Sequence, residues 1–316
     1  MTTTDRQQIS AEKIIRLYQD VGIDVSYFFQ DIDCLHLEED PSGLLRWTPT
    51  VVGDSLFYAH LSSVIPHYYP ENKPEFQAAL EFILPGNQVL EVGCGDGRFG
   101  SLLPPDQWYG VDINKTAIQT ALAKGLNCRT WNFLQDDISE LPREKFPVIC
   151  SFQMIEHLPD PGCLFAFASR HLEDDGHLII GAPAMDSLLG KNPMSMLNLP
   201  PHHQTWWPDK ALRLYPEKFG FKCKNLVHVP LDFTHHRAYI NTLIRDLLAK
   251  RISHFPPFLA SWINTLSAKP ISAFTKMLVK EGSIDPIFGA RGQSVIAVYR
   301  HSRIPSGTWP TLCEES

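Results

Sequence analysis

The stretch VLEVGCGDGRFG, residues 89–100, decides the fold. Gly93, Gly95 and Gly97 follow a short apolar run that contains Glu91. A strand, a glycine-rich turn and a helix form the nucleotide-binding start of an open α/β sheet. A dinucleotide fingerprint needs the spacing G-x-G-x-x-G, whereas these glycines are spaced G-x-G-x-G. The stretch therefore predicts a nucleotide-type turn that differs from that of dehydrogenases.

The charge of this turn indicates which ligand it favours. Glu91 ends the predicted strand, where its carboxylate would repel a pyrophosphate. A ligand that carries positive charge would instead be attracted. S-adenosylmethionine has a sulfonium and an ammonium group and no phosphate, so the turn suits it better than it suits NAD.

Short apolar runs alternate with helical patterns along the middle of the chain. This alternation predicts a parallel sheet covered by helices on both faces. Residues 35–70 have no regular pattern and are predicted to be irregular. The predicted strands are 88–92, 107–112, 128–132, 147–152, 177–183, 222–229 and 293–300, and the predicted helices are 9–19, 74–83, 96–103, 115–125, 160–172 and 208–220.

The chain divides into four predicted parts. Residues 1–73 form an N-terminal extension expected to cover the cofactor, and residues 74–231 form the cofactor-binding core. Residues 232–291 are a predicted helical insertion, because one helical face of 239–252 is apolar. We expect this insertion to pack on the core, and a lid or a contact with lipid remains an alternative. Residues 292–316 hold the last strand and a tail.

Composition limits the partners and the compartment. The net charge is −7, which argues against nucleic acid as a partner, since binding phosphates needs a basic face. The first twenty residues are polar, and no uncharged run is long enough to span a bilayer. Seven scattered cysteines without a CxxC pair are typical of thiols in a reducing compartment. We expect a soluble cytoplasmic protein without a transmembrane segment.

The stretch LEVGCGDG, residues 90–97, resembles motif I of the class I S-adenosylmethionine-dependent methyltransferases. The resemblance continues in order to about residue 185, and it implies a Rossmann-like seven-stranded sheet with helices on both faces. It places Asp112, in YGVDIN, on the ribose hydroxyls, with Ile113 beside it in the cofactor site. In DDISELP it places Asp137 on the adenine amino group, with Asp136 as the rival, and the backbone N–H of Ile138 on the ring.

The stretch VICSFQMIEHLPDP, residues 148–161, is similar to the segment after the fourth strand in the ubiquinone-biosynthesis-like small-molecule subgroup. The similarity implies that Gln153 faces the methionine part of the cofactor and that Glu156 and His157 start or cap the next loop. Lys73 is a candidate for the methionine carboxylate, with a solvated surface lysine as the alternative. One departure is Phe146-Pro147, where the family usually has Phe-Asp, and it concerns the start of the strand.

The stretch NLPPHHQTWW, residues 198–207, resembles a segment after the fifth strand of many such enzymes. His202 and His203 are therefore candidates for substrate contact and for the catalytic base, because a neutral imidazole can take a hydroxyl proton. The alternative is that they anchor a loop. His235-His236 lacks a third ligand at a convincing spacing, so no metal site is predicted.

These features predict methyl transfer from S-adenosylmethionine to a small-molecule, sugar or lipid-linked acceptor, at oxygen. The alternatives are a protein methyltransferase and a non-catalytic protein that binds S-adenosylmethionine. No Asn-Pro-Pro-Tyr-like block follows the fourth strand, which weakens methylation of nucleic-acid bases or glutamine. A dehydrogenase is disfavoured by the glycine spacing and by Glu91.

Overall fold

A computed structural model of the chain describes residues 8–65, 73–187, 190, 193–231 and 291–301. The predicted helical insertion, apart from Arg291, and most of the predicted C-terminal tail lie outside these residues, as does His235-His236. No helix within the described ranges is long and apolar enough to cross a membrane.

The main sheet has seven strands. They are β4 (Val89–Val92), β5 (Trp108–Asp112), β6 (Cys128–Thr130), β7 (Phe146–Phe152), β8 (Leu172–Pro183), β10 (Phe221–Pro230) and β11 (Arg291–His301). Their order is β6-β5-β4-β7-β8-β11-β10. The first five are parallel, and β11 is antiparallel to both its neighbours. The predicted Rossmann-like seven-stranded sheet is confirmed, and its strand order reverses beside β4, where such sheets bind ligands.

Local chemistry explains the helix ends near this reversal. Within the described ranges, the α-helices of six or more residues are α1 (Ala11–Gln19), α2 (Ser55–Val64), α3 (Pro74–Leu80), α4 (Lys115–Ala123), α5 (Gly162–His171) and α6 (Asp209–Leu214). α3 starts with Pro74, whose missing N–H costs nothing at a first helical position. The Asn114 side chain accepts bonds from two amides at the start of α4. Gly125 follows α4 with a φ of +79°.

The helix predicted at 96–103 is wrong. A turn occupies most of this segment, followed by a single 3-10 turn, Gly100–Leu102. Two glycines in five residues weaken a helix, and a Cβ at Gly100 would lie 2.5 Å from the Trp108 ring. The segment therefore packs tightly against Trp108 instead of completing α-helical turns.

The expectation that residues 35–70 are irregular is also wrong for the part that the structure describes, residues 35–65. β1 (Gln8–Ser10), β2 (Cys34–Glu39) and β3 (Leu45–Thr48) form a small antiparallel sheet with β9 (Thr205–Trp206), in the order β1-β2-β3-β9. Leu35 and Leu37 alternate with more exposed neighbours on β2, which is the pattern of a half-buried strand. Trp47 of β3 and Trp206 of β9 pack edge to face at 5.4 Å.

Three apolar clusters hold these layers together. Along β4, Leu90 and Val92 join one cluster, and Val89 joins a second cluster on the opposite face of the sheet. The third cluster lies under the N-terminal sheet and includes Trp47. The departure at Pro147 has a structural counterpart, because the pairing of β7 with β8 shifts register between Phe146 and Val148.

The cysteines agree with the expectation of thiols at five described positions and differ at one. Cys163 on α5 is disulfide-bonded. The free thiols are those of Cys34, Cys94, Cys128, Cys150 and Cys223.

Candidate active site

The glycine turn between β4 and the following segment needs each of its glycines for a different reason. Gly93, Gly95 and Gly97 have φ values of +78°, +55° and +77°, in the left-handed region that favours glycine. A Cβ at Gly93 would lie 2.6 Å from the Met154 sulfur, and one at Gly97 would lie 2.4 Å from Leu126. A Cβ at Gly95 would meet nothing within 4 Å. The backbone of Gly95 therefore borders open space, where a ligand can approach it closely.

Asp112 lies beside this open space at the end of β5. Its Oδ2 accepts a 2.8 Å hydrogen bond from the Gly95 amide, and its Oδ1 accepts one of 2.8 Å from the Asn114 amide. Burial raises the pKa of this carboxyl, and these amide bonds oppose the rise. A carboxylate has about four acceptor positions, so an oriented Asp112 keeps capacity for two hydroxyl donors. This donor and acceptor set fits the ribose of S-adenosylmethionine.

Glu91 lies below the turn rather than in open space. It is buried, and its Oε2 accepts a 2.9 Å hydrogen bond from the Trp108 indole. Burial raises the pKa of Glu91 to about 8, although the Trp108 bond and the charge of Lys73 lower it. A cation bound nearby would therefore favour the ionised form of Glu91 over the protonated form. Its predicted cofactor role stays a prediction.

Ile113 and the predicted adenine residues Asp137 and Ile138 are exposed or partly exposed. Ile113 is 70% exposed directly after Asp112, which is unusual for a large apolar side chain. Asp137 is exposed, and its carboxylate accepts a 2.9 Å bond from the Ser139 amide ahead of a 3-10 turn. That bond lowers the pKa of Asp137. Ile138 is the first residue of this turn, and Asp136 accepts a bond from the Asn132 amide.

The predicted methionine end contains a strained residue. Gln153 has a φ of +51°, which costs a non-glycine residue of order 1–3 kcal/mol and is often retained for function. Its Nε2 donates to Glu75 and to Ser294, at 3.3 Å each. Lys73 precedes α3 with its ammonium 5.5 Å from the Phe76 ring centre. The charge of Lys73 also acts on Glu91.

Three histidines meet next to this loop. His202 and His203 stack with ring centres 4.4 Å apart, and His157 lies edge-on to both, at 4.7 and 4.9 Å. One ligand atom from each of the three lies within 4.8 Å of the others. Met154 links this histidine cluster (His157, His202 and His203) to the turn, because it packs against Gly93 and lies three residues before His157.

Burial keeps these rings neutral. It lowers the pKa of His157 to about 4, and it holds the pKa values of His202 and His203 well below the usual range. Each Nδ1 faces an oxygen that accepts a hydrogen bond: Leu197 O for His202 at 2.6 Å, Asn198 Oδ1 for His203 at 3.1 Å and His202 O for His157 at 2.7 Å. Nδ1 therefore carries the proton, and each Nε2 carries a lone pair.

Glu156 adds a buried carboxyl group to the cluster. It is 1% exposed, and its Oε1 lies 3.7 Å from Nε2 of His157 and 4.0 Å from Nε2 of His203. Burial raises its pKa to about 8. The motif analysis treated Glu156 and His157 as loop residues and so missed this grouping. The sequence signal that could have predicted this grouping is that Glu156-His157 follows β7 and His202-His203 follows β8, its neighbour in the sheet.

The N-terminal extension reaches the same cluster through residues that follow β3. The hydroxyl of Tyr58 on α2 lies 3.2 Å from Nδ1 of His157 and 3.4 Å from the His202 carbonyl oxygen. Gln204, directly after the two histidines, bonds both backbone groups of Val51. The extension, which the sequence analysis expected to cover the cofactor, thus contacts the histidine cluster through Tyr58.

The sequence model of a family described as "Methyltransferase domain" matches residues 66–226, about half of the chain. Together with the seven-stranded sheet and the glycine turn, this match shows that the chain belongs to the methyltransferase domain family, within the class I S-adenosylmethionine-dependent methyltransferases.

The relatives are similar over part of their length. Ubiquinone biosynthesis O-methyltransferase of Marinobacter nauticus is 29% identical over 122 residues, which cover 36% of this chain and 49% of that protein. The protein of the same name from Hahella chejuensis is 28% identical over 120 residues, covering 36% and 48%. The chain therefore spans about half the length of the curated relatives it matches.

Among solved structures, an S-adenosylmethionine-dependent methyltransferase from Archaeoglobus fulgidus aligns with a TM-score of 0.48 and 18% identity, over 78% of this chain and 100% of that one. A second, from Mesorhizobium loti, aligns with a TM-score of 0.44 and 14% identity, over 73% and 99%. Similarities at this level say nothing about the methyl acceptor.

Proposed function

We propose that this protein transfers a methyl group from S-adenosylmethionine to a hydroxyl oxygen of a small-molecule, sugar or lipid-linked acceptor. One observation supports this proposal most directly. Met154 contacts the Gly93 turn and precedes His157, so the proposed cofactor turn lies close to three neutral imidazoles after the parallel strands. The printed names of the relatives, which are O-methyltransferases, support oxygen as the acceptor atom.

The residues divide into two groups in this proposal. Gly93, Gly95 and Gly97 let the backbone approach the cofactor, Asp112 holds the ribose, and the segments around Ile113 and Asp137 hold the adenine. Gln153 and Lys73 hold the methionine end. When bound, S-adenosylmethionine supplies an electrophilic methyl group on a sulfonium.

The acceptor hydroxyl loses its proton at the histidine cluster. As the new carbon–oxygen bond forms, the hydroxyl proton needs an acceptor, and a positioned base contributes typically 10²–10⁴-fold. His202 and His203 hold their Nδ1 protons on fixed oxygen atoms, so the Nε2 side is the one that can receive it. The N-terminal extension excludes water from this reaction by covering the cofactor.

The test is methyl transfer by the purified full-length chain from cofactor carrying a labelled methyl group to fractionated metabolite extracts. We expect a labelled product whose methyl group is on oxygen, and turnover at least tenfold lower for His203→Ala, with cofactor affinity nearly unchanged. The half-buried His171, which packs against Phe167 and bonds the Glu144 carbonyl oxygen through Nδ1, provides the control variant His171→Ala. Label found only on protein, or no transfer at all, would contradict the proposal.

A further inference from the structure

The histidine cluster and Glu156 bring four metal-ligand groups to one place. One ligand atom from each histidine lies within 4.8 Å of the others. Oε1 of Glu156 lies 3.7 Å from His157 and 4.0 Å from His203. The residues come from two segments, the loop after β7 and the loop before β9, which are adjacent in space because β7 and β8 are neighbours.

Each of the three rings has its Nδ1 against an oxygen acceptor. Ligating histidines almost always donate their second ring N–H to a carbonyl, carboxylate or water, which fixes the tautomer and the ring orientation. Here the second nitrogens face the Leu197 carbonyl, the Asn198 side-chain oxygen and the His202 carbonyl. Asn198 is itself held, because its amide donates to the Pro193 carbonyl at 2.9 Å.

The carboxyl group of Glu156 independently suggests that a ligand binds here. Both of its carboxyl oxygens are buried, and neither has a hydrogen-bond partner among the described residues. A buried polar group without a partner costs free energy, and buried charges are normally paired or bound to metals. The Glu156 backbone is fixed at the same time, since its carbonyl accepts a 2.8 Å bond from the Gln204 amide. The side chain is therefore held among the histidines.

We propose that Glu156, His157, His202 and His203 bind one divalent transition-metal ion. Three imidazoles and one carboxylate, without a thiolate, suit Zn²⁺ and its neighbours among the transition metals, whereas Mg²⁺ and Ca²⁺ prefer sets made of oxygen alone. At metal–ligand distances of about 2.0–2.1 Å, tetrahedral ligand atoms lie about 3.3 Å apart. The histidine ligand atoms, now within 4.8 Å of one another, would approach by at most about 1.5 Å. Glu156 Oε1 starts 3.7 Å from His157 and 4.0 Å from His203.

This metal site differs from the His235-His236 pair weighed in the sequence analysis. His235-His236 lacked a third ligand at a suitable spacing, whereas His157 and His202 are 45 positions apart and meet only through the fold. In terms of the proposed function, on which this consequence alone rests, a bound ion would occupy the Nε2 lone pairs, so these histidines would accept the hydroxyl proton only in the metal-free chain.

The test uses the full chain, freed of metal by a chelator and titrated with Co²⁺, without cofactor or acceptor. We expect one equivalent to bind, with the visible absorption bands of a nitrogen-ligated Co²⁺ ion, and Zn²⁺ but not a millimolar excess of Mg²⁺ to abolish them. His203→Ala and Glu156→Gln should each weaken Co²⁺ binding at least a hundredfold, and His171→Ala should leave it unchanged.

Thermal melting of each variant shows whether it is folded. If His203→Ala is unfolded, His157→Ala or Glu156→Gln gives the same comparison. Absence of the Co²⁺ bands in the folded wild-type chain, or equal binding by all variants, would overturn the proposal. Because no methyl transfer is measured, the site can fail while the proposed function holds, and the reverse.

Discussion

The amide of Gly95 donates a 2.8 Å hydrogen bond to Oδ2 of Asp112. This bond joins the turn after β4 to the end of β5, so the two motifs that were recognised separately in the sequence form one unit. It also orients the carboxylate, and the cofactor does not have to order it on binding.

Replacing Asp112 should weaken cofactor binding, and it also removes the bonds to the Gly95 and Asn114 amides. Asp112→Ala removes two charge-assisted bonds to the ribose, each worth roughly 1.5–3 kcal/mol, so affinity should fall at least about a hundredfold. Calorimetry with S-adenosylmethionine measures this. Asp106→Ala, at an exposed position before β5, is the control and should bind normally. Normal binding by a folded Asp112→Ala variant would remove the ribose assignment.

Gly95 and Gly22 make a matched pair. Both have positive φ values, +55° and +84°, and a Cβ at either position meets nothing within 4 Å. An alanine at either should cost about 1 kcal/mol of stability through backbone strain. Only Gly95→Ala should also reduce cofactor affinity, by at least tenfold, since its methyl group points into the proposed site. Calorimetry and urea unfolding of both variants separate the two effects, and equal affinities would show that the turn is only structural.

Glu91 should make stability depend on pH. Burial raises its pKa from 4.5 to about 8 in the folded chain. Between these values the unfolded chain has lost the proton and the folded chain keeps it, so stability falls as pH rises, by at most about 1.4 kcal/mol per pH unit. Glu91→Gln removes this contribution and keeps an acceptor for Trp108.

Urea unfolding at about pH 5 and about pH 8 measures the difference. The free energy of unfolding should fall less over this interval for Glu91→Gln than for the wild-type chain. Glu81→Gln, at an exposed position after α3, is the control and should behave like the wild type. An unchanged pH dependence in Glu91→Gln would show that Glu91 is ionised in the folded chain.

Gln204 should be required for stability although it belongs to no catalytic motif. Its side chain accepts from the Val51 amide at 3.2 Å and donates to the Val51 carbonyl at 2.6 Å, and it is 1% exposed. Gln204→Ala leaves both buried backbone groups without these bonds, at about 1–3 kcal/mol each. Thermal unfolding should show a lower midpoint, whereas Gln30→Ala at an exposed position should not. An unchanged midpoint would mean that water replaces the lost bonds.

The sequence was sufficient for the parts of the fold whose pattern is local. β4 and β5 are short apolar runs next to glycine or helix signals, and the structure confirms both. The segment 96–103 has helix-compatible apolar residues at its end but does not form a helix, because Gly97 and Gly100 must make room for Leu126 and Trp108. Such close contacts depend on residues distant in sequence and are invisible in a local pattern.

The candidate site shows the same limit. Asp112 was placed by a motif, and the structure puts it beside Gly95 as expected. His157 and His202 gave no joint signal, because ring contact at 4.7 Å depends on how two loops meet. The N-terminal sheet was missed for a related reason, since its fourth strand, β9, is only two residues long and comes from the other half of the chain.

β9 lies within the family match, but it pairs with β3, which lies outside it. The part of the chain that matches the family is therefore smaller than the part that folds together. The family match begins at residue 66, so it excludes β1, β2 and β3. A shortened chain that starts at Lys73 would retain the seven-stranded sheet, yet it would expose Trp206 to water and take Tyr58 away from the histidines. Amide hydrogen exchange should therefore show β3 and β9 opening together, and the chain shortened to start at Lys73 should be prone to aggregation.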